Sequence, residues 1–319
     1  MSEADLVTEI AALYYLQHMT QEELSKRYNT SRSTISRLIK QAHDIGVVEI
    51  NVRASPNVAR DLEGEFCRRF GIARLFCAVD RPDPDMQRAD VASLVANYLD
   101  KTLLDNSVVA VGMGRNVSAI SSAFGTPTPR NVLFASAIGG SIHGGEIVNP
   151  DHIARRLAAR FGGRSETLYA PAIVADKAQR AALLLNETVK QTLDRARQAS
   201  FALIGVGDLT EDSNMIRMGW LTPHEVAKAR ATGTIGDMMG NDFIDIQGRP
   251  SSTIVQGRVI GLTIAELHPI QDVIVIASEN TKSGIILAAL RTGVINTLAT
   301  SLSNARAVID LDDSTSERR

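Results

Sequence analysis

Hydrophobic positions in the first fifty residues recur with a helical period. In "EADLVTEIAALYYLQHM", Leu6, Ile10, Leu13, Tyr14 and Leu16 fall near a one-face helical repeat and predict an amphipathic helix. "TQEE" follows, where Thr20 can cap a second helix, "QEELSKRY", while Glu23 reaches back to the cap amide. Asn29 suits the left-handed backbone of a sharp turn. Ser31 then caps a third helix, "RSTISRLIKQAHDI", with Ile35, Leu38, Ile39 and Ala42 facing inward and Gly46 as its stop. "VVEINVR" alternates like a short strand.

Past residue 55 the pattern changes. "RASPNVARDLEGEF" carries Pro56 and Asn57 and marks a boundary, giving domains 1–54 and 55–319. Runs rich in Val, Ile and Ala then appear at "ARLFCAV", "SVVAVGM", "NVLFASAI", "ETLYAPAIV", "SFALIGVG", "DVIVIAS" and "INTLAT". Helical segments separate most of them, among them "QRADVASLVANYLDKTLL", "PDHIARRLAARF" and "RAALLLNETVKQTLDRARQ". Near-continuous apolar runs between helices predict an α/β domain with a mainly parallel sheet covered on both faces. The polar tail "DDSTSERR" reads as frayed.

Composition adds bounds. The chain has 319 residues, long enough for two domains, with 44% hydrophobic and 22% charged residues as in an ordinary soluble protein. Every apolar run is broken before the ~18 residues that a membrane span needs. Glu3, Asp5 and Glu9 stand where a signal peptide would be basic, so the expected location is the cytoplasm. Cys67 and Cys77 fit neither a metal-ligand spacing nor a disulfide framework.

The formal net charge of −2 makes local charge decisive for any nucleic-acid reading. "NTSRSTISRLIK" holds Arg32, Arg37 and Lys40 and no acid. Two helices joined by a tight turn, the second basic with short polar residues at its start, form the pattern of a helix-turn-helix. Arg32, Ser33, Thr34 and Ser36 suit base edges in a major groove, Arg being the usual partner of guanine. Arg37 and Lys40, with Gln21 and Ser31 at the helix starts, suit phosphates. Tyr14 and Tyr15 are adjacent and face different ways, so one belongs to the core, and Tyr15 is assigned to phosphate. Double-stranded operator DNA is the expected partner; a packing module with a solvated basic face is the alternative.

Several expected strands end in glycine. "VAVGMGRNVSAI" sets Gly112, Gly114, Arg115 and Asn116 between a strand and a helix, where glycines let backbone approach an anion. It lacks the third glycine and the later acid of a dinucleotide site. "SAIGGSIHGG" contributes Gly139 and Gly140, and "LIGVGDL" contributes Gly207 and Asp208. Singly each fits a tight turn; three at matching strand ends favour a small-ligand pocket. In "GTIGDMMGNDFIDIQGRP", Asp237, Phe243 and Asp245 stand among glycines, and Asp237 either binds two sugar hydroxyls or caps the next turn. "SENTKSGIILAAL" places Lys282 at a helix start, either facing a ligand or exposed. Neither a metal nor a cofactor is expected.

These stretches carry a resemblance. "LYYLQHMTQEELSKRYNTSRSTISRLIKQAHDIGVVEI", "VAVGMGR", "IGGSIHGG", "LLNETVKQTL", "GTIGDMMGNDFIDIQG" and "KSGIILAALRTGVINTLAT" resemble, in order and spacing, the SorC-type sugar-binding transcriptional regulators. The resemblance implies an N-terminal DNA-binding domain and a Rossmann-like effector domain with the fold of sugar-phosphate isomerases. It also implies a homotetramer whose effector is a phosphorylated sugar or related catabolite, and this chain's departures widen the expected effector to a sugar, a polyol or its phosphate. It places Gly112 to Arg115 and Gly139–Gly140 at phosphate-facing turns, Asp237 as the sugar carboxylate and Lys282 as the ligand lysine. The chain departs from the family pattern at Ser278 and Glu279, where glycines are usual, at Asn116 in place of Thr, and at Thr300–Ser301; Glu279 either repels a phosphate or binds extra hydroxyls. The expected function is a repressor of a carbohydrate or polyol operon and not an enzyme. The alternative is an isomerase-like enzyme, for which Asp237, Glu279 and His143 offer no paired acid and base.

Overall fold

The structure, a computed structural model, describes residues 3–48, 56–141, 143, 145–210, 213–251, 255 and 257–316. The chain divides into two compact units, Met1–Val52 and Arg53–Arg319.

The first unit holds α1 (Glu3–Tyr15), α2 (Gln21–Arg27) and α3 (Arg32–Asp44). The capping box forms: Glu23 N donates to Thr20 Oγ1 at 3.2 Å, and Thr20 N donates to Glu23 Oε2 at 2.7 Å. Asn29 turns the chain at φ 46°, and Ser31 Oγ accepts from Thr34 N at 3.1 Å to start α3. Val7, Ile10, Leu13, Leu24, Ile35 and Leu38 close a small core. Leu16 is not part of it. Helix α1 ends at Tyr15, and Leu16 is 78% exposed because the chain has left the helical path that would carry it inward. The alternating "VVEINVR" lies, beyond Val48, outside the described residues. Thr20→Ala is expected to lower the stability of this unit by about 1 kcal/mol. Chemical denaturation followed by circular dichroism checks this, with Thr20→Ser close to wild type.

Among the described residues of the second unit, seven parallel strands run in the order β1-β9-β8-β5-β2-β3-β4. They are β1 (Arg74–Ala78), β2 (Val108–Val111), β3 (Leu133–Ser136), β4 (Arg164–Glu166), β5 (Phe201–Asp208), β8 (Asp272–Ala277) and β9 (Thr297–Ser301). Successive residues face opposite sides: Ile274 and Ile276 pack into one apolar layer, Val273 and Val275 into the other. Helices cover both faces, so both sets are apolar and the alternation vanishes from the sequence. On one face lie α4 (Pro56–Phe70) and the helices Glu187–Arg197 and Ser283–Arg291; on the other lie α5 (Pro84–Thr102) and the helix Pro150–Phe161.

Three local expectations are corrected, and one segment that the sequence left unassigned takes a definite form. "ETLYAPAIV" forms no strand past Glu166; Pro171 lacks the N–H for a ladder, and the segment makes only isolated bridges to Gly140 and Val259. The long helix expected over "RAALLLNETVKQTLDRARQ" breaks, since Asn186 Oδ1 accepts from Thr188 N and Val189 N and starts a new helix. The tail through Ser316 is helical, with Asp312 and Thr315 bonded to Arg291 at 2.7 and 2.6 Å. Finally, "GTIGDMMGNDFIDI" is a hairpin: β6 (Thr234–Met238) pairs antiparallel with β7 (Asp242–Asp245) and with the far end of β5. Met239 and Gly240 turn it with φ of 55° and 78°, the positive pair of a type I′ turn, which Asn241 N closes by donating to Met238 O at 3.1 Å.

Candidate functional site

The first unit presents one polar helix face. Ile35, Leu38, Ile39 and Ala42 point inward, which leaves Arg32, Ser33, Ser36, Arg37 and Lys40 exposed on α3, with Thr34 half-buried. The nearby acids of α2 are engaged: Glu23 in the capping box and Glu22 with Lys26 at 3.0 Å. The positive potential of α3 is therefore left largely uncompensated. Arg32 lines a surface concavity with Tyr14, Tyr15, Thr20 and Gln21. Ser31 is occupied as the cap, and its Oγ also bonds the Ser33 and Thr34 hydroxyls at 2.7 and 2.8 Å. The Tyr15 hydroxyl lies 2.7 Å from His43 Nε2 and ties α1 to α3; burial and the adjacent Tyr14 push its pKa up.

In the second unit the strand order reverses between β2 and β5. From β2 the chain proceeds outward through β3 and β4; from β5 it proceeds the other way through β8 and β9. Loops leaving the carboxyl ends of β2 and β5 therefore diverge and open a crevice, where ligands bind in such sheets. A cavity of about 200 Å³ lies there, lined by Gly114, Arg115 and Asn116 after β2, by Gly205–Asp208 of β5, by Asp237 of β6, and by Glu279 and Lys282 after β8.

Asp237 is 2% exposed and sits in register with Gly207 of β5. A side chain at position 207 would strike Asp237 Oδ1, so glycine there makes room for the carboxyl. Asp237 Oδ2 accepts from Gly240 N at 2.6 Å and so caps the hairpin turn. Oδ1 has no hydrogen-bond partner among the described residues. One oxygen thus serves the turn and the other is free for a ligand. Burial pushes this carboxyl's pKa up to about 7, with Asp208 and Asp242 adding repulsion against the pull of the Gly240 amide and Lys282.

Lys282 is not an exposed lysine: its side chain is 13% exposed and Nζ donates to Val206 O at 2.7 Å. Its second partner is Glu279, 3.4 Å away. Glu279 Oε2 accepts from Asn116 Nδ2 at 2.9 Å, and Asn116 Oδ1 accepts from the buried Ser278 hydroxyl at 2.6 Å. Burial opposes ionisation of Glu279, but Lys282, Asn116, a backbone N–H and Arg88 outweigh it and hold its pKa below the ordinary value.

The remaining sequence candidates lie elsewhere. A side chain at Gly112 would meet Leu203 O, and one at Gly139 would meet the backbone of Ala170 and Pro171; both glycines serve close backbone packing. Gly140 lines a wider neighbouring cavity of about 750 Å³ with Ser136, His143 and Trp220. Phe243 is buried in the core and does not line the cavity. Sequence reading missed Ser213, whose buried Oγ has no partner among the described residues and lines the cavity, and Arg88, which reaches the site from α5. Neither carries a local motif. Among the described residues no cluster of His, Cys, Asp or Glu could hold a metal, and no helix is long and apolar enough to cross a membrane.

A helix-turn-helix unit and a parallel α/β unit with a polar switch-point cavity, carried on one chain, define a ligand-responsive DNA-binding regulator. The Sigma-70 region 4 family model matches residues 8–44, and the sugar-binding domain model matches residues 55–310. The sugar-binding domain of a transcriptional repressor from Vibrio fischeri is 45% identical, with a TM-score of 0.75 over 80% of this chain and 99% of that one. The erythritol catabolism regulatory protein EryD of Brucella abortus is 24% identical over 97% of this chain and 98% of its own length. The sorbitol operon regulator SorC of Klebsiella pneumoniae shares the fold, with a TM-score of 0.76 over 97% of this chain and 99% of that one at 24% identity. The chain belongs to the SorC-type family of sugar-binding transcriptional regulators.

Proposed function

We propose that this protein represses a carbohydrate or polyol catabolic operon and leaves its operator when a sugar-like effector fills the switch-point cavity. The observation that carries the reading is the convergence of Asp237, Asn116, Glu279 and Lys282 in that cavity. Carboxylates, an amide and an ammonium are the groups that exchange hydrogen bonds with a hydroxyl-rich molecule. Residues 1–54 act as the operator-binding domain and 55–319 as the effector and oligomerisation domain. The protein works in the cytoplasm as a homotetramer, and it binds its effector without turning it over. The effector acts only through a difference in its affinity for the two states of the protein.

Asp237→Ala is expected to abolish effector-induced release from operator DNA while DNA affinity without effector stays within about twofold. A fluorescence anisotropy titration with labelled operator checks this. Retained effector response in the variant removes Asp237 from the site. Product formation from aldose or ketose phosphates by the wild-type protein would establish an isomerase instead.

A further inference from the structure

Three cations at the cavity, Arg88, Arg115 and Lys282, are already held by one carboxylate of the chain, while Arg217 also stands in the lining. Glu279 Oε2 accepts from Asn116 Nδ2 at 2.9 Å and lies 3.4 Å from Lys282 Nζ. Its Oε1 lies 3.8 Å from Arg88 Nη2 and 3.8 Å from Arg115 Nη2. The residue is fixed from behind as well, since Asn304 Nδ2 donates to its backbone carbonyl at 2.9 Å. One ammonium, two guanidinium groups and an amide thus surround one side chain that is 19% exposed. This is the donor set that would otherwise receive a phosphate.

We propose that Glu279 occupies the anion position of the cavity, so that the effector is an uncharged sugar or polyol and its phosphate ester is excluded. The inference rests on the reading of this cavity as the effector site and specifies the class of molecule it takes. A phosphate group entering here meets Glu279, Asp237 and Asp208, three carboxylates on the same lining. To reach Lys282 or Arg115 it must displace a carboxylate held by four side chains. Like charges forced together lower affinity by about 100-fold or more. A neutral ligand avoids that repulsion. Its hydroxyls meet two buried atoms without partners among the described residues, Asp237 Oδ1 and Ser213 Oγ.

The test is a thermal-shift titration of the full chain with matched pairs of four- to six-carbon polyols or aldoses and their terminal phosphate esters, and with inorganic phosphate alone. The proteins are wild type, Glu279→Gln and Glu279→Gly. Glu279→Gln keeps an acceptor for Asn116 and removes the charge. The expected result is that a free polyol or sugar stabilises wild type while its ester requires about 100-fold more, and that both variants gain a response to the ester and to inorganic phosphate. An ester that stabilises wild type more strongly than its free partner overturns the role of Glu279 and leaves the sugar-responsive reading standing. Variants that still ignore inorganic phosphate also overturn it, because the vacated cations would then form no anion site. If no member of the panel shifts wild type or either variant, the sugar-responsive reading fails and this inference fails with it. Should a variant not fold, the wild-type comparison of free and esterified partners decides alone.

Discussion

Asp237→Asn is expected to leave the melting temperature unchanged below about pH 4 and to raise it by roughly 5 °C or more at pH 9. The reason is the carboxyl's place beneath the β5–β6 pairing, where burial raises its pKa from 3.8 to about 7. Between those values the folded protein keeps a proton that the unfolded chain has released. Folding stability therefore falls as pH climbs from about 4 to about 7, and above that window the full cost of an ionised buried carboxylate persists. A shift of this size corresponds to roughly 4 kcal/mol. Asparagine never ionises, and its Oδ1 still accepts from Gly240 N. The variant should therefore lack this part of the pH dependence and gain on wild type as pH rises. Melts at half-unit intervals of pH check it. Parallel wild-type and variant curves would mean that Asp237 does not titrate in this range.

Arg32→Ala is expected to weaken binding to the specific operator by roughly 1–3 kcal/mol and to relax base preference at one position of each half-site. Arg32 is the first residue of α3, is exposed, and lines the concavity with Thr20 and Gln21 at the start of α2. The start of a recognition helix lies deepest in a major groove. Lys40 lies two turns further along the same exposed face. Lys40→Ala should weaken all sequences alike and reduce the slope of log affinity against log salt by about one. Binding titrations on an operator library at three salt concentrations separate the two. Equal loss on every sequence for Arg32→Ala would assign Arg32 to phosphate.

The helix-turn-helix was legible because its determinants are local. The Thr20–Glu23 capping box, Asn29 at positive φ and the Ser31 cap each act within four residues, so sequence spacing records them directly. The parallel strands were legible because burial on both faces leaves continuous apolar runs. The β6–β7 hairpin was hidden: its glycines resemble a loop, and its pairing rests on contact with the far end of β5. For the same reason Asp237 presented two alternatives, capping a turn or meeting a ligand, and only the fold gave each oxygen its own surroundings.

The sequence by itself determined the two-part organisation, the reading helix and the presence of Asp237, Glu279 and Lys282 near strand ends. The tertiary structure decided what those groups do to one another. Arg88 on α5, Asn116 after β2 and Lys282 after β8 meet around Glu279 although they are far apart along the chain. Their meeting depends on strand order, which brings β2, β5 and β8 side by side. Caps and hydrophobic periods report forces between near neighbours in sequence, whereas the electrostatics of a cavity depend on separations in space.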